Sequence, residues 1–389
     1  MNLDKQPIIN IGMLGSVSDG KSTTVNRLSG ITTQRHSSEL KRNITIKPGY
    51  ANMKIYKDEF GYNTKSGELV HHVSFIDCPG HYQLIVTMMS NIRLMDGIIL
   101  VVSAAESISM KPQLIQHIMA IKMSGIMNVI VLFNKLDLIK KDIAKQRYKE
   151  LINVLNKYDI KPKKIIPVCM NLNIGVNTVL NNIMEFMGPK EREQSEPLFM
   201  ISRSFDINHV NIDLMDIQGG VVGGSMIQGT FKIGDIIEIS PGIVSKTQDG
   251  SFICKPHVSE IISIKSDTTV LDMALPGGLI GIGTNIDPYY CKNDNMCGMV
   301  VCIKNKSPPI YTEFTMNYEM VGFGHDFTSD NVVIIIGTAS ENALIESRDE
   351  STIKIKIMKP MCFDNMSMII ICDNITDSFN IIAYGFIKL

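Results

Sequence analysis

Short apolar runs alternate with helical patterns through the first half of the chain. Four of the runs, VSFID (73–77), GIILVVS (97–103), NVIVLF (128–133) and KIIPV (164–168), are rich in β-branched residues and poor in polar ones. Strands buried on both faces of a parallel sheet have this texture. Between them, Pro112 suits the first turn of a helix that ends before Gly125. In another segment Tyr148, Leu151, Ile152 and Leu155 recur at i, i+3, i+4 and i+7, which places them on one helix face. The succession over residues 8–190 predicts a doubly wound, mostly parallel α/β sheet. MGPKEREQSEP (187–197), with its Gly, two Pro and charge cluster, ends that pattern.

Beyond it the texture changes to short strands set between Gly, Pro, Asn and Asp, with no long amphipathic helix. GTFKIGDIIEIS (229–240), VSEIISI (258–264), VVIIIG (332–337), STIKIKIM (351–358) and SMIIIC (367–372) are the clearest. Regular turn signals in an all-β stretch predict barrels. NKSPPI (305–310) marks the second boundary, so the expected domains are 1–195, 196–306 and 307–389.

Composition narrows the class. The 389 residues suffice for two or three cored domains, and 44% hydrophobic with 20% charged residues is an ordinary globular balance. A net charge of −1 gives no global drive toward nucleic acid, so any such contact must be local. No apolar run reaches the ~20 residues of a membrane span, and MNLDKQPIINIG lacks a signal-peptide core. The eight cysteines form no C-x-x-C pair, and Cys291, Cys297 and Cys302 have no partner at zinc-like spacing. Reduced thiols and a cytoplasmic location are expected.

Three motifs carry chemistry. GSVSDGKS (15–22) fits G-x-x-x-x-G-K-[ST], after a strand and at the start of a helix. Gly15 and Gly20 let backbone N–H groups close around phosphates, with Asp19 and Thr23 in the same loop and helix start. Lys21 supplies a cation to the β- and γ-phosphates, and Ser22 a hydroxyl for Mg²⁺. In DCPGH (77–81), Asp77 suits the metal through water, Gly80 can offer its N–H to a γ-phosphate and His81 can orient an attacking water. In NKLD (134–137), Asp137 can accept from N1–H and the exocyclic amine of guanine, while Asn134 and Lys135 brace the loop and cover the base. Adenine offers no such donor pair, so the site discriminates against it. In this order on this sheet, the motifs define a GTP-binding domain using GTP/GDP and Mg²⁺.

RNITIKPGYANMKIY (42–56), DCPGH, RSFDIN (203–208), GGVVGGSMIQG (219–229), PGIVSK (241–246), CKP (254–256) and LPGGLIGIGTNIDP (275–288) together resemble the gamma subunits of eukaryotic and archaeal translation initiation factor 2. These are translational GTPases related to elongation factor Tu. The resemblance implies an α/β P-loop GTPase domain followed by two all-β barrels. It implies a subunit that binds initiator methionyl-tRNA, delivers it to the small ribosomal subunit and hydrolyses GTP on start-codon selection. The implied partners are alpha and beta subunits, on domain II and the GTPase domain respectively, with GTPase-activating and nucleotide-exchange factors; no membrane is implied. Thr45 would close over Mg²⁺ and the γ-phosphate as a catalytic element beside Lys21 and His81, with Ser22, Thr45 and Asp77 around the metal. Asn43 and Tyr50 match positions linked to the methionine and terminal-adenosine pocket.

The chain departs from the family pattern in three places. The phosphate loop carries Ser16 and Asp19 where histidines are usual, and Asp19 would weaken nucleotide binding unless it pointed to solvent. The last guanine-binding element reads Cys169–Met170 instead of Ser-Ala, but its contact to guanine O6 uses a backbone N–H. KDEFGYNTKSGE (57–68) has no cysteine where many members hold a zinc knuckle, so no structural zinc is expected. Two other readings stay open: a carrier of elongator or selenocysteinyl-tRNA, and a GTP-sensing binding module with little hydrolysis.

Overall fold

The computed structural model describes residues 4–33, 45, 47–108, 111–188, 195–209, 211–321, 327–375 and 378–388. The chain divides near Lys190 into two compact units. In the first, strands β1 (Ile9–Leu14), β2 (Gly49–Asp58), β3 (Gly61–Asn63), β4 (Glu68–Asp77), β5 (Gly97–Ser103), β6 (Val129–Asn134) and β7 (Lys164–Pro167) form one sheet in the order β3-β2-β4-β1-β5-β6-β7. All pairings from β4 to β7 are parallel, while β2 and β3 run antiparallel at one edge. Every residue of β1, β5 and β6 is buried, because helices cover both faces.

Helices α1 (Lys21–Ser29), α2 (Ile85–Ile92), α3 (Pro112–Ser124), α4 (Lys141–Lys157) and α5 (Val176–Phe186) supply the cover. Ile9, Ile11 and Met13 pack with Val25, Leu28, Val179 and Ile183 in a dry core on one side of the sheet. Helix α3 has Pro112 in its first turn and ends at Gly125, as the sequence predicts. Helix α4 carries the four residues expected on one face, at different depths. Leu151 and Leu155 are buried, Ile152 is half-buried, and Tyr148 is 42% exposed with its ring edge against Phe133, 5.9 Å between centroids. The β2–β3 turn is closed by Phe60 N–H and Asn63 Nδ2 donating to the Asp58 carboxylate, and the β3–β4 turn by Lys65 and Ser66 N–H donating to Asn63 Oδ1.

The second unit is all β. Strands β8 (Leu198–Phe205), β9 (Val221–Gln228), β11 (Ile236–Lys246), β12 (Phe252–Ser266), β13 (Thr269–Leu271), β15 (Ile280–Thr284) and β16 (Val300–Ile303) make the first barrel sheet, and β10 (Phe231–Lys232) and β14 (Met273–Ala274) pair separately with each other. The order β11-β16-β8-β9-β15-β12 is closed by β11 on β12. Residues 229–240 are not one strand: a turn at 233–235, held by Lys232 N–H on Asp235 Oδ2, separates β10 from β11. The remaining strands, β17 (Ile310–Met320), β18 (Asn331–Ile336), β19 (Ala339–Arg348), β20 (Thr352–Cys362), β21 (Ile369–Ile375) and β22 (Ser378–Ile387), close a six-stranded barrel in the order β17-β20-β19-β18-β21-β22. Ile353, Ile355 and Ile357 alternate inward along β20, the period-two pattern of a strand with one dry face.

Candidate functional site

A cavity of about 480 Å³ opens at the C-terminal ends of the parallel strands, where the loops of an open α/β sheet converge. Gly20, Lys21, Ser22, Thr23, Thr45, Gly80, His81, Asn134, Lys135, Asp137 and Met170 line it. The three sequence motifs and the 169–174 loop therefore meet at one place. Gly15, Asp19, Asp77 and Cys169 stand behind the wall. Asn43 lies outside the described residues.

The loop after β1 reaches helix α1 through Gly20, whose φ of 104° is left-handed backbone that suits glycine. A β-carbon on Gly20 would also strike the Asn134 amide. Lys21 is 6% exposed, and its Nζ donates to the Gly15 and Ser16 carbonyl oxygens, each at 2.9 Å. The loop thus wraps around the ammonium group. Burial pushes the Lys21 pKa down, while the nearby carboxylates of Asp77 and Asp19 oppose that shift.

Asp19 corrects an expectation. It points neither to the phosphate side nor to solvent: it is 1% exposed and turned into the protein. Oδ2 accepts from Ser16 N–H at 2.9 Å, and Oδ1 accepts from Ser103 N–H at 3.2 Å and Lys111 Nζ at 2.8 Å. The charge that would have repelled phosphate is absorbed by a buried lysine.

Hydroxyl and carboxylate oxygens gather beside Lys21. Ser22 Oγ and Thr45 Oγ1 are 3.3 Å apart, and Thr45 is 7% exposed. Asp77, at the end of β4, is fully buried, and its Oδ2 accepts from Thr33 Oγ1 at 2.6 Å. Sequence reading did not single out Thr33, which lines the cavity. Hard oxygen donors of this kind fit Mg²⁺, which prefers few protein oxygens and keeps its waters. No group of three or more His, Cys, Asp or Glu that could hold a metal occurs among the described residues.

His81 is half-exposed on the wall, and its Nδ1 accepts from Gln83 N–H at 3.3 Å, which leaves the ring proton on Nε2. Behind Gly80 lies another histidine that the motifs do not include. His117, on α3, is 2% exposed and hydrogen-bonded to the Gly80 backbone. Its pKa is pushed down to about 3, first by burial and then by the Lys21 cation.

The base end of the cavity is organised by Asn134. Its Nδ2 donates to the Asp19 carbonyl oxygen at 3.0 Å, and its Oδ1 accepts from Met170 N–H at 3.1 Å. One amide joins the phosphate loop to the 169–174 loop. Lys135 adopts a left-handed φ of 63°, and Asp137 is exposed at the rim. The Cys169 thiol, 8% exposed, contacts both the carboxylate and the backbone of Asp137, and burial raises its pKa. Tyr50 stands apart from the cavity wall, its hydroxyl donating to Asn91 Oδ1 at 3.3 Å.

A buried lysine wrapped by a Gly-rich loop, oxygen donors at its side and an Asn-Lys-x-Asp loop at the far end define a P-loop GTPase of the translational type. The Elongation factor Tu GTP binding domain model matches residues 6–189, and the model for the C-terminal part of initiation factor eIF2 gamma matches residues 322–387. The chain is 36% identical to translation initiation factor 2 subunit gamma of Methanocaldococcus jannaschii, over 99% of this chain and 98% of that protein. It is 34% identical to eukaryotic translation initiation factor 2 subunit gamma of Encephalitozoon cuniculi, over 99% and 94%. With eukaryotic translation initiation factor 2 subunit 3 of Drosophila melanogaster it shares 33%, over 98% and 89%. Among solved structures, a bacterial selenocysteine-specific elongation factor superposes with a TM-score of 0.77 at 20% identity, over 98% of this chain, which spans 58% of that one. Elongation factor SelB of Methanococcus maripaludis with the GTP analogue GppNHp gives 0.76 at 18%, over 99% of this chain and 80% of that one. At such identities the likeness is one of fold.

The chain belongs to the gamma-subunit family of eukaryotic and archaeal translation initiation factor 2. It is a GTP-dependent initiation factor and a translational GTPase that binds guanine nucleotide. No helix among the described residues is long and apolar enough to cross a membrane.

Proposed function

We propose that this chain is the GTP-switched, cytoplasmic carrier of initiator methionyl-tRNA within a heterotrimer of alpha, beta and gamma subunits. It would deliver that tRNA to the small ribosomal subunit and cleave GTP when the start codon is selected. The domains would be 1–195, 196–306 and 307–389, with alpha on the second and beta on the first. The observation that carries the reading is the convergence of the three motif loops on one cavity in a chain of this family.

Within that cavity, backbone N–H groups of the phosphate loop and the Lys21 ammonium group would hold the β- and γ-phosphates. Ser22, Thr45 and, through water, Asp77 would hold Mg²⁺, which neutralises charge developing on the phosphate oxygens when bound. Gly80 N–H and Thr45 would engage the γ-phosphate and release when it is lost. That release would reshape the segment around Asn43 and Tyr50 that receives the aminoacyl end. His81, with its proton on Nε2, would orient the attacking water rather than deprotonate it. Asp137 would accept from the guanine edge. The Met170 N–H is held by Asn134, so Asn171, on the cavity wall, is the natural backbone donor to O6.

The inward turn of Asp19 removes one motive for reading the chain as a GTP-sensing module that barely hydrolyses. Filter binding of initiator against elongator methionyl-tRNA, with GTP and with GDP, tests the proposal. Tight binding of the initiator species with GTP alone supports it; equal affinity for both tRNAs refutes it.

A further inference from the structure

The loop residue just before Gly20–Lys21 is an aspartate, in a loop read here as cradling phosphates. Its carboxylate meets three donors: Ser16 N–H at 2.9 Å, Ser103 N–H at 3.2 Å and Lys111 Nζ at 2.8 Å. Two of these are backbone groups of the loop itself and of the end of β5. The third is a side chain 92 residues away, just ahead of the first turn of α3. Lys111 is 8% exposed and also reaches Glu106 Oε2 at 3.2 Å, on a side chain that is 68% exposed. The Asp19 carbonyl oxygen meanwhile accepts from Asn134. Asp19 is therefore the knot at which the phosphate loop, β5, α3 and the base-reading loop are tied.

A buried ion pair is weak evidence for stability, because desolvating two charges can cancel their attraction. What it does here is local. The pair is neutral as a unit, so the Lys111 cation offsets what the Asp19 carboxylate would take from the positive charge of Lys21. Without the Lys111 cation, a lone carboxylate would lie next to the most highly charged part of the nucleotide. Without the carboxylate's hydrogen bond to Ser16 N–H, the loop would lose a constraint on the direction of its backbone donors.

We infer that Lys111 is a positioning residue for nucleotide binding: it clamps the Asp19 carboxylate away from the phosphate cradle and cancels its charge. The inference rests on reading residues 15–22 as the phosphate loop. It differs from a packing role in one respect. Repulsion from an uncancelled carboxylate grows with the charge of the ligand, so GTP must suffer more than GDP.

The test measures affinities of the full-length chain for fluorescent mant-GTP and mant-GDP in Mg²⁺ buffer. Lys111→Met should weaken mant-GTP about tenfold or more and mant-GDP by less, with the gap narrowing at high salt. Lys111→Arg should stay close to the parent. Asp19→Asn combined with Lys111→Met should recover most of the loss, since neither charge remains. Asp19→Asn alone should shift preference the other way, toward mant-GTP, which also serves if Lys111→Met fails to fold. Equal weakening of both nucleotides by Lys111→Met without recovery in the double variant overturns the inference, as does an unchanged ratio in Asp19→Asn. Lys21→Ala is the separate control. If it kept nucleotide, the phosphate-loop reading itself would fail; if it lost nucleotide while the ratio ignored Asp19 and Lys111, only the clamp would fail.

Discussion

Gly80 lies so close to Lys21 that a β-carbon on Gly80 would run into the lysine amine and stand 2.8 Å from the Gly15 carbonyl oxygen. The lysine end could swing away, but the backbone of the phosphate loop could not. The turn that starts at Asp77 is thus seated directly on the loop that wraps Lys21. Gly80→Ala should push this turn outward and remove its N–H from reach of a γ-phosphate. We expect GTP affinity to fall about tenfold, as for a lost hydrogen bond to a charged group, with GDP nearly unaffected. Isothermal titration with both nucleotides checks it; parallel losses would mean that Gly80 serves loop packing alone.

Asn134→Ala removes two hydrogen bonds and strands the Met170 N–H and the Asp19 carbonyl oxygen in a buried place. The expected loss of stability is about 2–5 kcal/mol, with nucleotide leaving faster. Urea unfolding and stopped-flow release of mant-GDP report the two effects. A stability change below about 1 kcal/mol would show that the bridge between the loops is dispensable.

Asp137→Asn replaces two acceptor oxygens by one acceptor and one donor. Xanthine presents a carbonyl where guanine has its exocyclic amine, so the variant should favour xanthosine diphosphate over GDP. Competition between the two diphosphates measures this directly. Retained guanine preference would place base reading elsewhere.

His81→Ala should leave GTP affinity within about twofold while slowing single-turnover cleavage at least about tenfold. The effect should fall short of the 10²–10⁴ that a full general base supplies, because Nδ1 already accepts from Gln83 N–H. Collapse of GTP binding instead would make His81 a structural residue.

Stability should depend on pH through His117, whose pKa is about 3 in the folded chain against 6.5 for an ordinary histidine. Between those values the unfolded chain holds a proton that the folded one does not. Stability therefore rises with pH across this window, by up to about 1.4 kcal/mol per unit, and levels off above it. His71, also pushed down by burial, acts in the same direction. In His117→Gln the stability lost on going from pH 7 to pH 5 should shrink by about 2 kcal/mol, read by urea unfolding at both values. An unchanged loss would assign the acid sensitivity to other groups.

Some of this was legible because local chemistry and tertiary context agree. GIILVVS coincides with β5, since a strand covered on both faces needs apolar residues at every position. Pro112 and Gly125 bracket α3 because backbone geometry alone suits them to those ends. Strand β2 carries a clean alternation, with Ala51, Met53 and Ile55 inward and Asn52 and Lys54 outward. Tyr148 shares a face with Leu151 and Leu155 yet is 42% exposed, because helical periodicity says which residues share a side, not how far the cover extends. The inward turn of Asp19 is not legible in the sequence for a different reason. Its partner, Lys111, lies 92 residues away at the start of α3, and no window along the chain brings the two together. His117 was invisible too: in an apolar helix one histidine looks like filler until Gly80 is seen above it.

The final barrel has its own consequence for biosynthesis. Residues 378–387 are the stave that closes the ring, with Met316 to Met320 of β17 laddered against Ile387 to Ala383. Until that segment is available, β17 and β21 present bare edges to any neighbouring molecule that can add a strand. A nascent or proteolysed chain lacking it is therefore a sticky species that invites chaperones, and nonsense lesions just upstream would act by aggregation rather than by any loss at the nucleotide.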